Sequence, residues 1–207
     1  MIQAQHKEGY VWFFDKFIKT ITSGYFQTQH IEGEWLDPHS SVLILSNHIG
    51  WWDGFWLLNL NNRVLHLRFY VMMHQKQLVR YPFFKKIGAF SIDNNPIDIK
   101  ESLSYSISIL EERNNLLVIF PQGNLESLYQ KPIRFHRGIE YILSRVRHKP
   151  VILFVANLID FGENRKLSVT TYLESVCIYE NSVTYLESAY NDFYNRCIEK
   201  QIRRGEI

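Results

Sequence analysis

Residues 41–53 read SVLILSNHIGWWD, a short apolar run that passes directly into a polar turn. A continuous apolar run of this length is typical of a strand that is buried on both faces of a parallel sheet. Similar runs recur at residues 116–120 and 151–156, and stretches with helical spacing of apolar residues lie between them. Strands that alternate with helices predict one layered α/β domain, in which helices flank a largely parallel central sheet.

The remaining predicted elements continue this alternation. Asp98, followed three residues later by Glu101, forms a plausible capping box and predicts the start of a helix. No repeat, low-complexity tract or linker divides the chain, so a single domain is expected. The apolar patterns predict further strands at residues 64–73, 89–92 and 167–173, and helices at residues 54–60, 75–84, 137–147 and 188–204.

The first 30 residues are rich in aromatic side chains. Either Trp12 or Phe13, together with Phe17 and Ile21, follows helical spacing, which predicts an N-terminal aromatic amphipathic helix. Such a helix either packs on the core of the domain or lies in the headgroup layer of a membrane. The predicted division is therefore an N-terminal, candidate membrane-interfacial helix at residues 1–30 and a main domain at residues 31–207.

Composition and charge exclude several classes of function. The 207 residues carry a net charge of only +2 at pH 7, and no basic stripe with interleaved aromatics is present, so nucleic acid is not an expected partner. No segment approaches the roughly 20 apolar residues that cross a bilayer. Cys177 and Cys197 fit no metal-ligand spacing and are expected to be reduced and buried, which is compatible with a cytoplasmic location.

The turn after the strand at residues 41–46 contains a candidate catalytic pair. His48 and Asp53 are five residues apart, so they do not share one face of a helix. They can meet if Asp53 begins the next helix and Gly50 lets the chain fold back between them. An imidazole that is oriented by a carboxylate is suited to remove a proton from a hydroxyl at neutral pH. The structural alternative is that Asp53 is only a helix N-cap and His48 a loop residue bonded to backbone.

Further motifs accompany this pair in order along the chain. Asn47-His48-x-x-x-x-Asp53 resembles the N-H-x-x-x-x-D signature of the lysophospholipid and glycerol-phosphate acyltransferases. Residues 120–127, FPQGNLES, resemble the F-P-E-G-T-R-S motif of that family, and residues 81–93 resemble the segment that ends in its I-D-R motif. Residues 135–138, FHRG, resemble the F-K-x-G that follows. The likeness spans roughly residues 40–158, and four motifs in register are far more specific than one.

The resemblance implies an O-acyltransferase with His48 as general base and Asp53 as the carboxylate that holds it. The acceptor would be a hydroxyl of a lipid-like molecule, and the donor would be acyl-CoA or acyl carrier protein. The thioester is then a co-substrate, and neither a metal nor another cofactor is implied; His66 and His74 lack ligand spacing for one. A membrane surface is the other implied partner, bound peripherally at its inner, cytoplasmic face.

Residues near the motifs are candidates for substrate binding. Backbone N–H groups around residues 121–123 are candidates for binding the acceptor or the developing oxyanion. Trp51 and Trp52 form either the wall of an acyl or acceptor groove or part of the core, whereas Trp56 is expected in the core. The predicted substrate-binding residues are Asn47, Trp51, Trp52, Pro121, Gln122, Gly123, Asn124 and Arg137.

Three of the substitutions relative to the family pattern bear on the acceptor. Leu125 and Asn94 stand where the family has arginines that are associated with the acceptor's phosphate, and Gln122 replaces a glutamate. Because an arginine–phosphate bond is worth about 1.5–3 kcal/mol, glycerol 3-phosphate and simple lysophosphatidate are not the expected acceptors. A neutral or differently charged hydroxyl lipid fits better, such as an amino-acid lipid, a glycolipid or a pigment-type alcohol. The cations that could compensate, or could simply be solvated, are Lys131, Arg134 and Arg137.

Two other functions stay open on the sequence alone. One is a lipid-binding or scaffold protein of the same fold that has lost catalysis. The altered loop at residues 120–127 would then reflect that loss. The other is a thioesterase-type hydrolase, in which the same imidazole activates water instead of an alcohol.

Overall fold

The computed structural model describes residues 1–35, 40–161, 165–177 and 182–205, apart from several side chains of the first helix. The strands in this part of the chain are β1 (Phe26–Glu34), β2 (Val42–Ser46), β3 (Arg68–His74), β4 (Ala89–Ile92), β5 (Asn115–Ile119), β6 (Val151–Asp160) and β7 (Leu167–Val176). The helices are α1 (Glu8–Tyr25), α2 (Asp53–Leu60), α3 (Gln75–Arg80), α4 (Pro96–Glu111), α5 (Gly138–Leu143) and α6 (Val183–Gly205). A π-helical turn, Asn61–Leu65, extends α2, and a 3₁₀ helix, Pro82–Ile87, follows α3.

The seven strands form one sheet in the order β1-β7-β6-β2-β5-β3-β4. All neighbouring strands are parallel except β6 and β7, which are antiparallel. The antiparallel pair follows from its connection, because a short loop between adjacent strands reverses the chain, whereas parallel neighbours require a longer crossover. The predicted α/β domain with a largely parallel sheet and flanking helices is confirmed.

The apolar run of β2 is buried on both faces of the sheet, as the sequence predicted. Leu43 and Leu45 belong to the core under α4, α5 and α6, and Val42 and Ile44 belong to the core on the other face, with α2 and α3. All four side chains are fully buried. The alternation of side chains along a strand therefore explains why this segment has no polar positions.

The sequence did not predict β1. This strand lies at the edge of the sheet and pairs in parallel with β7. It contains polar residues on its exposed positions, so it lacks the apolar run that identified the central strands. Residues 26–30, which the sequence placed in the N-terminal helical segment, form the first part of this strand. Gly33 has φ = +134° and approaches Leu173 so closely that a Cβ there would lie 1.9 Å from the Leu173 carbonyl oxygen, and only glycine fits.

Helix α1 lies within the predicted N-terminal segment and ends at Tyr25. Phe14 of this helix is buried in the core, and Phe17 is 41% exposed. The side chains of Phe13 and Ile21, on which the amphipathic prediction also rests, lie outside the described residues. The amphipathic and interfacial character of this helix therefore stays a prediction.

Several predicted boundaries were wrong. The capping box was wrong because the N-cap of α4 is Asn95, whose side chain accepts a hydrogen bond from the Ile97 N–H, with Pro96 in the first turn. The strand predicted from residue 64 begins at Arg68, because the chain before it continues α2 as the π-helical turn. The helix predicted at residues 75–84 is divided into α3 and the 3₁₀ helix by the turn at Tyr81, which precedes a proline.

Two further expectations changed in the structure. Helix α5 is shorter than the predicted residues 137–147. Cys197 is buried, as expected, but Cys177 is exposed at the end of β7, and both thiols are free.

Among the helices in the described ranges, none is both long and apolar enough to cross a bilayer.

Candidate active site

Two loops meet at the carboxyl edge of the sheet. Strands β2 and β5 are parallel neighbours, with Leu45 paired to Ile119, so the chain leaves both strands at the same edge. The loops then bond to each other: the Glu126 N–H donates to the His48 carbonyl (2.9 Å), and the His48 N–H donates to Gln122 Oε1 (2.7 Å). The two sequence motifs that resembled the acyltransferases therefore form one site.

His48 and Asp53 are in contact, as the sequence predicted. His48 Nδ1 lies 2.7 Å from Asp53 Oδ2. The imidazole side chain is 26% exposed, and the carboxylate is fully buried. In this contact a neutral imidazole donates its Nδ1–H to the carboxylate, which only accepts, and this tautomer leaves the lone pair of Nε2 available. This geometry suits a general base that faces an incoming hydroxyl.

Asp53 also organises the backbone of the loop. Its Oδ2 accepts from the N–H groups of Ile49 (2.7 Å) and Gly50 (3.0 Å), in addition to the ring of His48. Asp53 is the first residue of α2, and the N-cap residue is Trp52. The carboxylate of Asp53 therefore bonds to N–H groups of the preceding loop and does not cap the helix. The interpretation of Asp53 as a simple N-cap is therefore wrong. Its second oxygen, Oδ1, is buried and has no hydrogen-bond partner among the described residues.

Phe120 covers one face of the His48 ring. The two ring centroids are 4.1 Å apart, and the ring planes differ by 16°. This stacking restricts rotation of the imidazole about its Cβ–Cγ bond. Together, the carboxylate and the stacked ring determine where Nε2 points.

Gln122 connects the two loops through both ends of its amide. Its side chain is buried, with 5% exposure. Oε1 accepts from the His48 N–H, and Nε2 donates to Glu126 Oε2. A glutamate at residue 122 has no N–H to donate, so it would face the carboxylate of Glu126 without a hydrogen bond. The sequence identified residue 122 as altered, but it did not identify Glu126 as its partner.

Asn47 lies beneath the surface of the site. It is fully buried; its Nδ2 donates to the Asn157 carbonyl, and its Oδ1 accepts from the Asn157 N–H, both at 2.9 Å. Asn157 in turn accepts a hydrogen bond from the Thr171 hydroxyl. These contacts link the end of β2 to β6 and β7. They favour a positioning role for Asn47 over the substrate contact that the sequence predicted.

The loop after β5 carries the other predicted binding residues. Pro121 is buried, whereas Gly123 and Asn124 are exposed. Gly123 has φ = +72°, and a Cβ there would lie 2.7 Å from Cδ2 of the His136 ring, so this turn requires glycine. Arg137 is exposed next to His136 and forms no side-chain hydrogen bond or ion pair with the described residues.

The two tryptophans after His48 pack against aromatic residues from distant parts of the chain. Trp51 is 44% exposed, and its ring lies 4.9 Å from that of Tyr81 and 5.8 Å from that of Phe84. Trp52 packs against Tyr25 and Phe26 at the junction of α1 and β1. Trp56 is 3% exposed, as a core residue should be. A partly exposed aromatic surface therefore adjoins the loop that contains His48.

Other candidates for chemistry lie away from the site or are unreactive. Burial raises the pKa of the Cys197 thiol to about 12, so Cys197 carries almost no thiolate at neutral pH. Arg134 pairs with Glu187 (2.8 Å), and Lys131 bonds to Asn195. Within the ranges that the structure describes, no group of three or more His, Cys, Asp and Glu side chains could hold a metal ion.

A comparison with protein families agrees with this geometry. A family model described as acyltransferase matches residues 28–157, more than half of the chain and both loops of the site. The chain belongs to the acyltransferase family. This is the lysophospholipid and glycerol-phosphate acyltransferase family that the motifs resembled, and membership supports acyl transfer as the general activity. The comparison with curated proteins gave no match.

Proposed function

We propose that this acyltransferase moves a fatty acyl group from acyl-CoA or acyl carrier protein to a hydroxyl of a lipid-like acceptor. The observation that carries the proposal is the 2.7 Å contact between His48 Nδ1 and Asp53 Oδ2. It orients a partly exposed imidazole beside a loop of the acyltransferase motif. A binding or scaffold protein has no need of this base–carboxylate pair.

The reaction requires one proton to move twice. His48 Nε2 takes the proton of the acceptor hydroxyl while the oxygen attacks the thioester carbonyl. Asp53 stabilises the imidazolium that forms. The tetrahedral intermediate then collapses, the C–S bond breaks, and Nε2 returns the proton to the departing thiolate. The products are an ester and a free thiol. These reaction steps need no covalent enzyme intermediate, metal or other cofactor.

Backbone N–H groups of the loop after β5 are the proposed oxyanion donors, although fewer are available than the sequence suggested. Pro121 has no N–H, and the Gly123 N–H already donates to the Phe120 carbonyl (3.0 Å). The N–H groups of Gln122 and Asn124 are the remaining candidates. We propose the Asn124 N–H as the more accessible donor because Asn124 is exposed, whereas Gln122 is buried.

The acceptor is proposed not to be a simple phosphate monoester. Leu125 is 59% exposed at the position of the family's arginine, and Asn94, also exposed, replaces the other. Two of the three cations that could compensate are engaged along α6, so Arg137 is the remaining candidate for binding a phosphate of the acceptor or of the donor. If glycerol 3-phosphate or lysophosphatidate gave the highest kcat/KM, this part of the proposal would be wrong.

A peripheral site of action at the inner face of a membrane is proposed from the exposed apolar side chains near the catalytic loop. Tyr25 is 61% exposed, Trp51 44% and Phe17 41%. Replacing all three by serine should weaken sedimentation with vesicles, whereas Ile202→Ser on α6, a matched change at a 59% exposed position, should not. Equal sedimentation of both variants would argue against this surface. Deletion of the first 24 residues is a less clean test because it removes buried Phe14.

The decisive experiment uses the purified protein, a labelled palmitoyl thioester of CoA or of acyl carrier protein, and a total lipid extract from the source cell. We expect mass spectrometry to identify a lipid that gains the label, and His48→Ala to abolish that gain while the fold is retained. Release of labelled fatty acid that no acceptor increases would favour a thioesterase. Lipid binding without thioester turnover would favour a scaffold protein.

A further inference from the structure

Glu126 places a carboxylate in the site at a position where the family motif has no carboxylate. In FPQGNLES, Leu125 and Glu126 stand where F-P-E-G-T-R-S has arginine and serine. The side chain of Glu126 is partly exposed, and it forms no ion pair with any described residue. Because Gln122 replaces the glutamate of the motif, the loop has lost the cation at residue 125, and its carboxylate stands at residue 126 and not at residue 122.

The carboxylate of Glu126 is held close to the catalytic loop by a closed ring of hydrogen bonds. The Glu126 N–H donates to the His48 carbonyl (2.9 Å), and Glu126 Oε2 accepts from Gln122 Nε2. Gln122 Oε1 then accepts from the His48 N–H (2.7 Å). Gln122 fixes one oxygen of the carboxylate but is neutral, so among the described residues the negative charge of the partly exposed Glu126 has no cationic partner.

In the part of the chain that the structure describes, the three cations that closely follow this loop do not pair with Glu126. Lys131 and Arg134 are directed to Asn195 and Glu187 of α6. Arg137 is exposed and makes no contact with Glu126. An anionic head group placed beside Leu125 would therefore meet a fixed like charge, and a cationic one would meet an opposite charge.

From this arrangement we infer that the acceptor carries a cationic group, such as a primary ammonium, and that Glu126 is the residue that recognises it. The inference rests on the proposed acyl transfer to a hydroxyl. It narrows the acceptor to a hydroxylated lipid with a positively charged head group. Glu126 would contact the cationic head group and not the reacting atoms. It therefore determines specificity and is not a catalytic residue.

The test compares two acceptors that share the same acyl chain and hydroxyl, one with a charged amine and one with the amine acetylated. N-(3-hydroxypalmitoyl)-1,4-diaminobutane has a hydroxyl, an acyl chain and a free ammonium, and its N-acetyl derivative has no charge. With palmitoyl-CoA and with palmitoyl-acyl carrier protein, we expect the wild type to prefer the ammonium compound in kcat/KM by roughly tenfold or more. In E126Q, which keeps a side-chain acceptor for Gln122 Nε2, the two compounds should become equal. E112Q, an exposed and matched charge change at the other edge of the sheet, should keep the preference.

The possible results separate this inference from the proposed function. Acylation of both compounds without preference, or better use of lysophosphatidate, would overturn the inference and leave O-acyl transfer standing. An ammonium preference that E126Q retains would overturn the role of Glu126. If no hydroxyl compound is acylated and the thioester is only hydrolysed, both proposals fail.

A second measurement applies if E126Q does not fold. Because the recognition is electrostatic and partly exposed, the wild-type preference should decrease when ionic strength is raised from about 20 mM to about 500 mM. A preference that does not respond to salt would overturn recognition of the ammonium by an exposed carboxylate.

Discussion

Replacement of Asp53 by asparagine tests the proposed role of the carboxylate without removing its shape. Asp53 Oδ2 accepts from His48 Nδ1, Ile49 N–H and Gly50 N–H. Because all three donors face Oδ2, the side-chain oxygen of asparagine should occupy the Oδ2 position. The amide nitrogen then occupies the buried Oδ1 position, which has no partner among the described residues. The His48 tautomer is kept, and the negative charge is lost.

The expected loss follows from that geometry. A hydrogen bond to a charged partner is worth about 1.5–3 kcal/mol, and each factor of ten in rate corresponds to about 1.4 kcal/mol. The imidazolium is charged only during the reaction, so kcat should fall roughly 10- to 150-fold, with little change in KM for the thioester. The unpaired buried amide should also lower the free energy of unfolding by about 1–3 kcal/mol.

The assay measures transfer of labelled palmitate to the acceptor at saturating thioester, and urea denaturation reports the free energy of unfolding. Asp192→Asn, an exposed and isosteric change on α6, is the control and should behave as the wild type. Because Asp53 is proposed to act through His48, Asp53→Asn should have no further effect in the His48→Ala background. A wild-type kcat for Asp53→Asn, or an additive loss in the double variant, would refute the proposed mechanism.

Three further predictions concern the support of the site. Asn47→Ala should lower the free energy of unfolding by about 2–4 kcal/mol, since both of its buried bonds to β6 are lost; an unchanged urea midpoint would contradict this. Gly123→Ala should lower Tm and kcat/KM, because it strains a residue at φ = +72° and displaces the His136 ring; the strain is about 1–2 kcal/mol, and a wild-type Tm would argue against it. Iodoacetamide should add one label to the native protein, at exposed Cys177, and a second only after unfolding, because burial raises the pKa of Cys197 to about 12; two labels on the native protein would show that Cys197 is accessible.

Local patterns were sufficient to predict the central sheet and the contact between His48 and Asp53. The apolar runs of β2, β5 and β6 identify strands because burial on both faces removes polar positions. The spacing of His48 and Asp53, with glycine between them, predicted a contact that involves only one turn and the start of one helix. Edge strand β1 was missed because a strand that is half exposed has no such run, and β7 was expected without its antiparallel direction.

The partners of residues in the second loop could not be predicted in the same way. The change at Gln122 was identified from the sequence, but neither the position of Glu126 nor the bonds of Gln122 to both Glu126 and His48 follow from local pattern. That ring of contacts exists only because β2 and β5 are neighbours in the sheet, which brings their following loops together. The packing of Trp51 against Tyr81 and of Trp52 against Tyr25 depends in the same way on distant segments.

Periodicity in the amino-acid sequence predicted the α/β class, and the resemblance of its motifs indicated the acyltransferase family and, through it, the proposed base and its carboxylate. Only the tertiary structure decided that Asn47 is buried, that Gln122 joins the two loops and that Glu126, bonded to Gln122, forms no ion pair with the described residues. Those properties arise from contacts between segments that are far apart in sequence, and strand order determines them.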